Sequence, residues 1–209
     1  MKLTKLEQSG FIFETEKGFR LALDIGSRTP VSKLEGVFVD AMIISHLHGD
    51  HLSIDQIRKL SPKDLYISGE CRNALGVEES SSVITEIKSN TEIQVDDFKI
   101  NIFNVDHGPN VSAPLKENFG FLITVQGQKI YFAGDMFYGS GIDVTNLEVD
   151  IVLLPVGTFY TFGPEEAFAF SKTFKKIGKI IPMHDRGNLE KTDEFIKLSE
   201  KDFLVEKFV

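Results

Sequence analysis

Residues 45–51 read Ser-His-Leu-His-Gly-Asp-His, placing three of the chain's five histidines and an aspartate within six consecutive positions, His46 to His51. Imidazole nitrogens and carboxylate oxygens are the donors that hold zinc and related divalent ions. In an extended turn His46 and His48 point the same way, while Asp50 and His51 come from the next bend and face another point. One short cluster can thus offer a ligand pair to each of two ions. Surface histidine tracts and expression tags also bind metal, but tags sit at termini. This cluster follows a strand-like run, Ala41-Met42-Ile43-Ile44, and a loop leaving a buried strand is where sites are commonly built.

The elements that must position such a site alternate between strand and helix patterns. Strands are expected at 2–6, 11–16, 19–24, 41–45, 65–68, 83–88, 91–95 and 98–105. Others are expected at 119–125, 129–133, 150–155, 179–183 and 203–208. Gly10 and Gly18 mark early breaks, and Gly127-Gln128 suits a hairpin. Helices are expected over 53–60 with Ser53 as N-cap, over 69–76, and over 190–200. Another should start at Pro164, with Glu165 and Glu166 in its first turn, and run to about Ile177, ending at Gly178. Strands alternating with helices make a layered α/β protein.

The remaining ligand-type residues fall on that map in one pattern. Asp24 ends Arg20-Leu21-Ala22-Leu23; His107 follows Asn104-Val105-Asp106. Asp135 follows the apolar strand 129–133 and Gly134, and His184 follows Ile180-Ile181-Pro182-Met183. Each stands at the carboxyl end of an apolar strand, where layered sheets expose ligands. Singly, an Asp or His there is more often a turn or cap residue; these four together with the four of the cluster weaken that explanation.

Composition narrows the function classes. A chain of 209 residues with 42% hydrophobic content can bury one core, and a single domain over 1–209 is expected. The net charge of −8 speaks against a nucleic-acid surface. Cys71 is alone, so no disulfide framework forms and a cytoplasmic setting fits; its expected role is structural. Neither a signal peptide nor a membrane span is visible, and a small-molecule substrate is the expected partner.

The motif set resembles the metallo-β-lactamase superfamily of metal-dependent hydrolases. Its signature is His-x-His-x-Asp-His, then a separate His, an Asp after Gly, and a last His. The chain matches at His46, His48, Asp50, His51, His107, Asp135 and His184, in that order along nearly its whole length. The resemblance implies a four-layer αββα sandwich, two mixed sheets packed face to face between helical layers. It implies that His46, His48 and His107 hold one ion, that Asp50, His51 and His184 hold the other, and that Asp135 bridges them. Asp24 matches the early aspartate that supports the site from behind the ligands. Leu153–Gly157, Thr161–Ala167 and Ile181–His184 resemble the branch containing ascorbate-6-phosphate lactonase. That branch opens with a Gly-His-Ser type turn where this chain has Gln8-Ser9-Gly10, has Thr where Met136 stands, and has an aromatic where Asp185-Arg186-Gly187 stands.

The chemistry expected is dinuclear hydrolysis of a small ester, lactone or phosphodiester by a metal-bridging hydroxide. Two close cations lower the pKa of a shared water and polarise a carbonyl or phosphoryl oxygen, and Asp50 orients the nucleophile or takes its proton. Zinc is the expected ion, with manganese or iron as alternatives. Where some zinc β-lactamases carry Cys this chain has Asp135, and where flavodiiron proteins carry an acidic residue it has His48, so neither activity is expected. Arg186 suits a phosphate or carboxylate; Tyr160 and Tyr138 are donors to a leaving group, and Lys116 is a weaker candidate. The loop 108–118 is a candidate lid. A di-iron oxidoreductase or dioxygenase of the same fold, and a non-catalytic metal-binding module, are the alternatives.

Overall fold

The computed structural model describes residues 1–76, 81–108, 110–111 and 115–207. Contacts divide the chain into two compact units, residues 1–88 with 95–97, and residues 89–94 with 98–209.

The first unit is built on a six-stranded mixed sheet in sequence order. β1 (Lys2–Lys5), β2 (Phe11–Glu14) and β3 (Arg20–Leu23) pair antiparallel; β3, β4 (Ala41–Ile43), β5 (Asp64–Ile67) and β6 (Val83–Glu86) pair parallel. A parallel step needs a crossover. The segment between β4 and β5 contains α1 (Ile54–Leu60), and that between β5 and β6 contains α2 (Gly69–Leu75). Ile57 and Leu60 of α1 and Cys71 of α2 are buried in one core with Ile12, Ala22, Met42, Leu65 and Ile67. The Cys71 thiol is therefore a core group. Ser68 caps α2 by accepting the Cys71 N–H at 3.0 Å. Ser53 occupies the N-cap position of α1 but donates its hydroxyl to Gln56 instead of capping the backbone.

The second unit carries a six-stranded sheet ordered β12-β11-β10-β9-β8-β7. β8 (Phe98–Asn104) and β10 (Gln128–Phe132) both pair antiparallel with β9 (Phe119–Val125), so β8 and β10 run the same way. β11 (Glu148–Pro155) and β12 (Lys176–Met183) continue parallel to β10; β7 is Thr91–Val95. The carboxyl ends of β8, β10, β11 and β12 therefore share one edge of the sheet. Gln126 (φ 49°) and Gly127 (φ 78°) form the hairpin turn between β9 and β10, the paired left-handed geometry that matches strand twist. The interior is aromatic. Tyr131 stacks on Phe103 at 5.4 Å and meets Phe174 edge-on at 5.2 Å, and its hydroxyl donates to Ser140 Oγ at 2.7 Å. Burial pushes that phenol well above its usual range.

Two expectations need correction. The helix begun by Pro164, α3, ends at Ser171, and residues 176–178 belong to β12. Lys176 and Ile177 pair with Glu148 and Val149, and a Cβ at Gly178 would stand 2.5 Å from the Asp150 carbonyl oxygen. Strand pairing takes the segment that helical spacing had claimed. The last strand reduces to a single bridge between Ile180 and Val205, residue 208 lying outside the described residues. α4 spans Leu189–Ser199.

Candidate metal centre

In the first unit four ligand candidates come from the loop after β4, and their support comes from the end of β3. Asp24 is fully buried and left-handed, with φ 47°. Its Oδ1 accepts the Ser45 N–H at 2.7 Å; its Oδ2 accepts the Ser45 hydroxyl at 2.5 Å and lies 2.7 Å from His51 Nδ1. A carboxylate only accepts, so His51 carries its proton on Nδ1 and presents the Nε2 lone pair. Ser45 Oγ also lies 2.9 Å from His46 Nδ1. Its one proton already goes to Asp24, so His46 donates there and turns Nε2 outward. His46 Nε2 then meets His48 Nδ1 at 3.0 Å. Two nitrogens about 2.0–2.1 Å from one tetrahedral zinc stand about 3.3 Å apart, so this donor pair fits a shared divalent ion. Asp50 Oδ2 lies 4.0 Å from His51 Nε2.

The loop is held close by Gly26, two residues past Asp24. A Cβ there would come within 2.1 Å of the Asp50 carbonyl carbon, so only glycine allows the two loops to touch. The Ser27 N–H donates to the Gly49 carbonyl at 2.8 Å, fastening the same approach.

In the second unit the candidates come from separate strand ends. Asp135 Oδ2 stands 3.3 Å from His107 Nε2 and 2.9 Å from His184 Nε2. All three are buried. One carboxylate oxygen between two imidazoles is an arrangement suited to cation binding, since both partners offer lone pairs when neutral. Asn118, buried at the start of β9, donates to the carbonyls of Asp135 at 2.9 Å and Val105 at 3.3 Å. It ties the loop of His107 to that of Asp135. Gly157 plays the part of Gly26: a Cβ there would stand 2.0 Å from the His184 carbonyl oxygen.

The proposed substrate contacts sit on the loops after β11 and β12. The Arg186 guanidinium lies 4.9 Å over the Tyr160 ring, bringing those two together. Thr158 (φ 63°), Phe159 (φ 62°), His184 (φ 56°) and Arg186 (φ 57°) are all left-handed, a strained geometry for β-branched and bulky residues. Tyr138 is exposed and edge-on to Phe137 at 4.7 Å. Lys116 lines a cavity of about 520 Å³ that also reaches His107, Val105, Asn118 and Ser140. Of the suggested lid, Pro109 and residues 112–114 lie outside the described residues.

Sequence reasoning passed over Ser45, Gln8, Gly26, Asn118 and Gly157. Ser45 directly precedes His46 and was legible as a small polar residue beside the cluster. Gln8 and Asn118 act across 42 and 17 positions; Gln8 was marked only as a departure from the branch's opening turn, and nothing local marks Asn118.

Comparison with known proteins identifies the family of the chain. The profile of the family described as beta-lactamase superfamily domain matches residues 2–184, across both units. A UPF0173 metal-dependent hydrolase of Thermococcus onnurineus is 29% identical over 180 residues, 82% of this chain and 80% of the relative. One from Korarchaeum cryptofilum is 30% identical over 201 residues, 88% and 82% of the two chains. A metallo hydrolase structure from Ignicoccus hospitalis has a TM-score of 0.79 at 20% identity, covering 99% of this chain and 94% of the other. CmlA, a diiron β-hydroxylase from Streptomyces venezuelae, has a TM-score of 0.71 at 11% identity, and the match spans 52% of it. These structures share the fold, and the two mixed sheets with their helices are those of the αββα sandwich expected from the motif. The chain belongs to the β-lactamase superfamily of metal-dependent hydrolases.

Proposed function

We propose that the chain is a dinuclear hydrolase acting on a small ester, lactone or phosphodiester that bears a phosphate or carboxylate group. The observation that carries this reading is Asp135, whose Oδ2 stands 3.3 Å from His107 Nε2 and 2.9 Å from His184 Nε2, within reach of one ligand candidate of each expected ion. Following the superfamily's ligand order, His46, His48 and His107 would hold one ion, Asp50, His51 and His184 would hold the other, and Asp135 would be shared. When bound, two divalent ions, zinc with manganese or iron as alternatives, lower the pKa of a shared water and polarise the substrate oxygen.

The chain's own residues do the rest. Asp24 holds His51 and, through Ser45, His46 in the tautomers that leave Nε2 available. Asp50 orients the nucleophile or takes up its proton. Arg186, whose guanidinium lies over the Tyr160 ring, offers an anionic substrate group two parallel N–H donors. The cavity beside His107 is of a size that suits a small molecule. Among the described residues no helix is long and apolar enough to cross a membrane.

The test is metal analysis with a chromogenic panel of bis-p-nitrophenyl phosphate, aryl esters and lactones. Chelator-sensitive hydrolysis is expected, lost in the His46→Ala/His48→Ala double variant together with metal at one site. Undiminished hydrolysis in that variant sinks the mechanism. A di-iron oxidoreductase is the second reading, favoured by the fold shared with CmlA; bound iron with visible absorption and no hydrolysis selects it.

A further inference from the structure

Gln8 carries a buried polar side chain into the ligand loop of the first unit. The residue is 5% exposed, and its backbone is left-handed at φ 59°, a geometry that non-glycine residues keep only where their surroundings fix it. A tight turn does so: the Leu6 N–H donates to the Gly10 carbonyl at 2.8 Å and the Gly10 N–H to the Glu7 carbonyl at 3.0 Å. From that turn Gln8 Nε2 donates to Asp50 Oδ2 at 2.9 Å. The amide orientation follows from charge, because Oε1 against a carboxylate would be repulsive and Asp50 offers only acceptors.

The oxygen that Gln8 engages is the one facing His51 Nε2 at 4.0 Å. The two ligand candidates that the first unit offers to this ion therefore each have an outer partner. His51 is held by Asp24 through Nδ1; Asp50 is held by Gln8. The need differs between them. The His51 side chain is fully buried, whereas that of Asp50 is 25% exposed, and the last torsion of an aspartate is broad. A donor fixed on one lone pair of Oδ2 sets the direction of the other.

We propose that Gln8 is a positioning residue for Asp50, fixing the carboxylate so that Oδ2 serves the same ion as His51 Nε2. This rests on the two-ion reading and deepens it. The alternative is that Gln8 merely braces the turn of residues 6–10. The backbone hydrogen bonds of that turn do not involve the amide, so the two roles separate under substitution.

The experiment is titration of the metal-free protein with Zn²⁺ alone, by calorimetry and by metal counting after dialysis, alongside the melting temperature of the metal-free form. Wild type is expected to take up two ions. Gln8→Ala should weaken one affinity about 10- to 100-fold, leave the other unchanged, and leave the metal-free melting temperature within about 2 °C. Gln8→Glu, the same shape with a repelling carboxylate, should weaken the same ion at least as much. Gln8→His keeps an N–H donor and tolerates a left-handed backbone, and it should recover part of the loss. Two unchanged affinities in Gln8→Ala, or both falling together with the metal-free melting temperature, overturn the assignment. A wild type that takes up a single ion overturns the two-ion reading and this assignment with it.

Discussion

In the first unit one loop supplies four ligand candidates, whereas in the second three strands supply one each. The consequence is a different kind of support. Six consecutive residues cannot all be positioned by their own backbone, so the first unit relies on side chains that reach in from elsewhere. Asp24 alone accepts from the Ser45 N–H, the Ser45 hydroxyl and His51. In the second unit the register of parallel strands does the positioning. Ile130, Tyr131 and Phe132 of β10 pair with Ile151, Val152 and Leu153 of β11, which pair in turn with Lys179, Ile180 and Ile181 of β12. Asp135 and His184 leave that frame at one edge. A contiguous cluster concentrates its dependence on one buried carboxylate; a dispersed set spreads it over a sheet.

The contrast predicts opposite outcomes for two aspartates. Asp135→Ala removes a carboxylate shared by two imidazoles but leaves the strands paired. Hydrolysis should fall on the order of 10³-fold or more, with at least one ion lost and the melting temperature of the metal-free form nearly unchanged. Metal counting, initial rates and calorimetry check this. A large fall in melting temperature would show that Asp135 holds the second unit together as Asp24 holds the first, and the contrast would fail.

Asp24→Ala should do the reverse first. Two Ser45 groups and His51 Nδ1 lose an acceptor in a fully buried place, at about 1–3 kcal/mol for each group left unsatisfied. A total of about 3–9 kcal/mol lowers the melting temperature by at least roughly 6 °C in a chain of this size. Metal affinity should fall as well, since His46 and His51 both lose the groups that set their tautomers. A variant that melts like wild type would mean the ligand loop is held by its own packing.

The same contrast explains what the sequence made legible. His46, His48, Asp50 and His51 announce themselves because six positions crowd four donors. His107, Asp135 and His184 became visible only once each was placed at a strand end, and the strands were visible because apolar runs mark them. The helix over 164–177 was overextended because Phe170, Phe174 and Ile177 keep helical spacing, while the pairing of residues 176–178 with β11 is a tertiary fact. Asn118 was passed over, and Gln8 was noted only as a departure from the branch's opening turn, for a related reason. Each acts through one hydrogen bond or two across the fold, and a single polar residue in a turn carries no periodicity. Gly26 and Gly157 mattered through what a Cβ would strike, which depends on a neighbouring loop and not on the local chain.

The smallest expected effects probe how each unit transmits its support. Ser45 acts on a side chain, linking Asp24 to His46 Nδ1, whereas Asn118 acts on backbone, donating to the carbonyls of Val105 and Asp135. Ser45→Ala should therefore weaken metal binding about tenfold while lowering stability by about 1 kcal/mol, because His46 can take the other tautomer once its hydroxyl partner is gone. Asn118→Ala leaves two carbonyls without their amide donor and should lower stability by about 1–3 kcal/mol, with a smaller change in metal affinity, since the β10 register still carries Asp135. Zinc titration and thermal melts of the two variants, read side by side, decide the matter. If the ratio of metal effect to stability effect is larger for Asn118→Ala than for Ser45→Ala, then the second unit also depends on individual side chains to aim its ligands, and the division between a braced loop and a framed sheet does not hold.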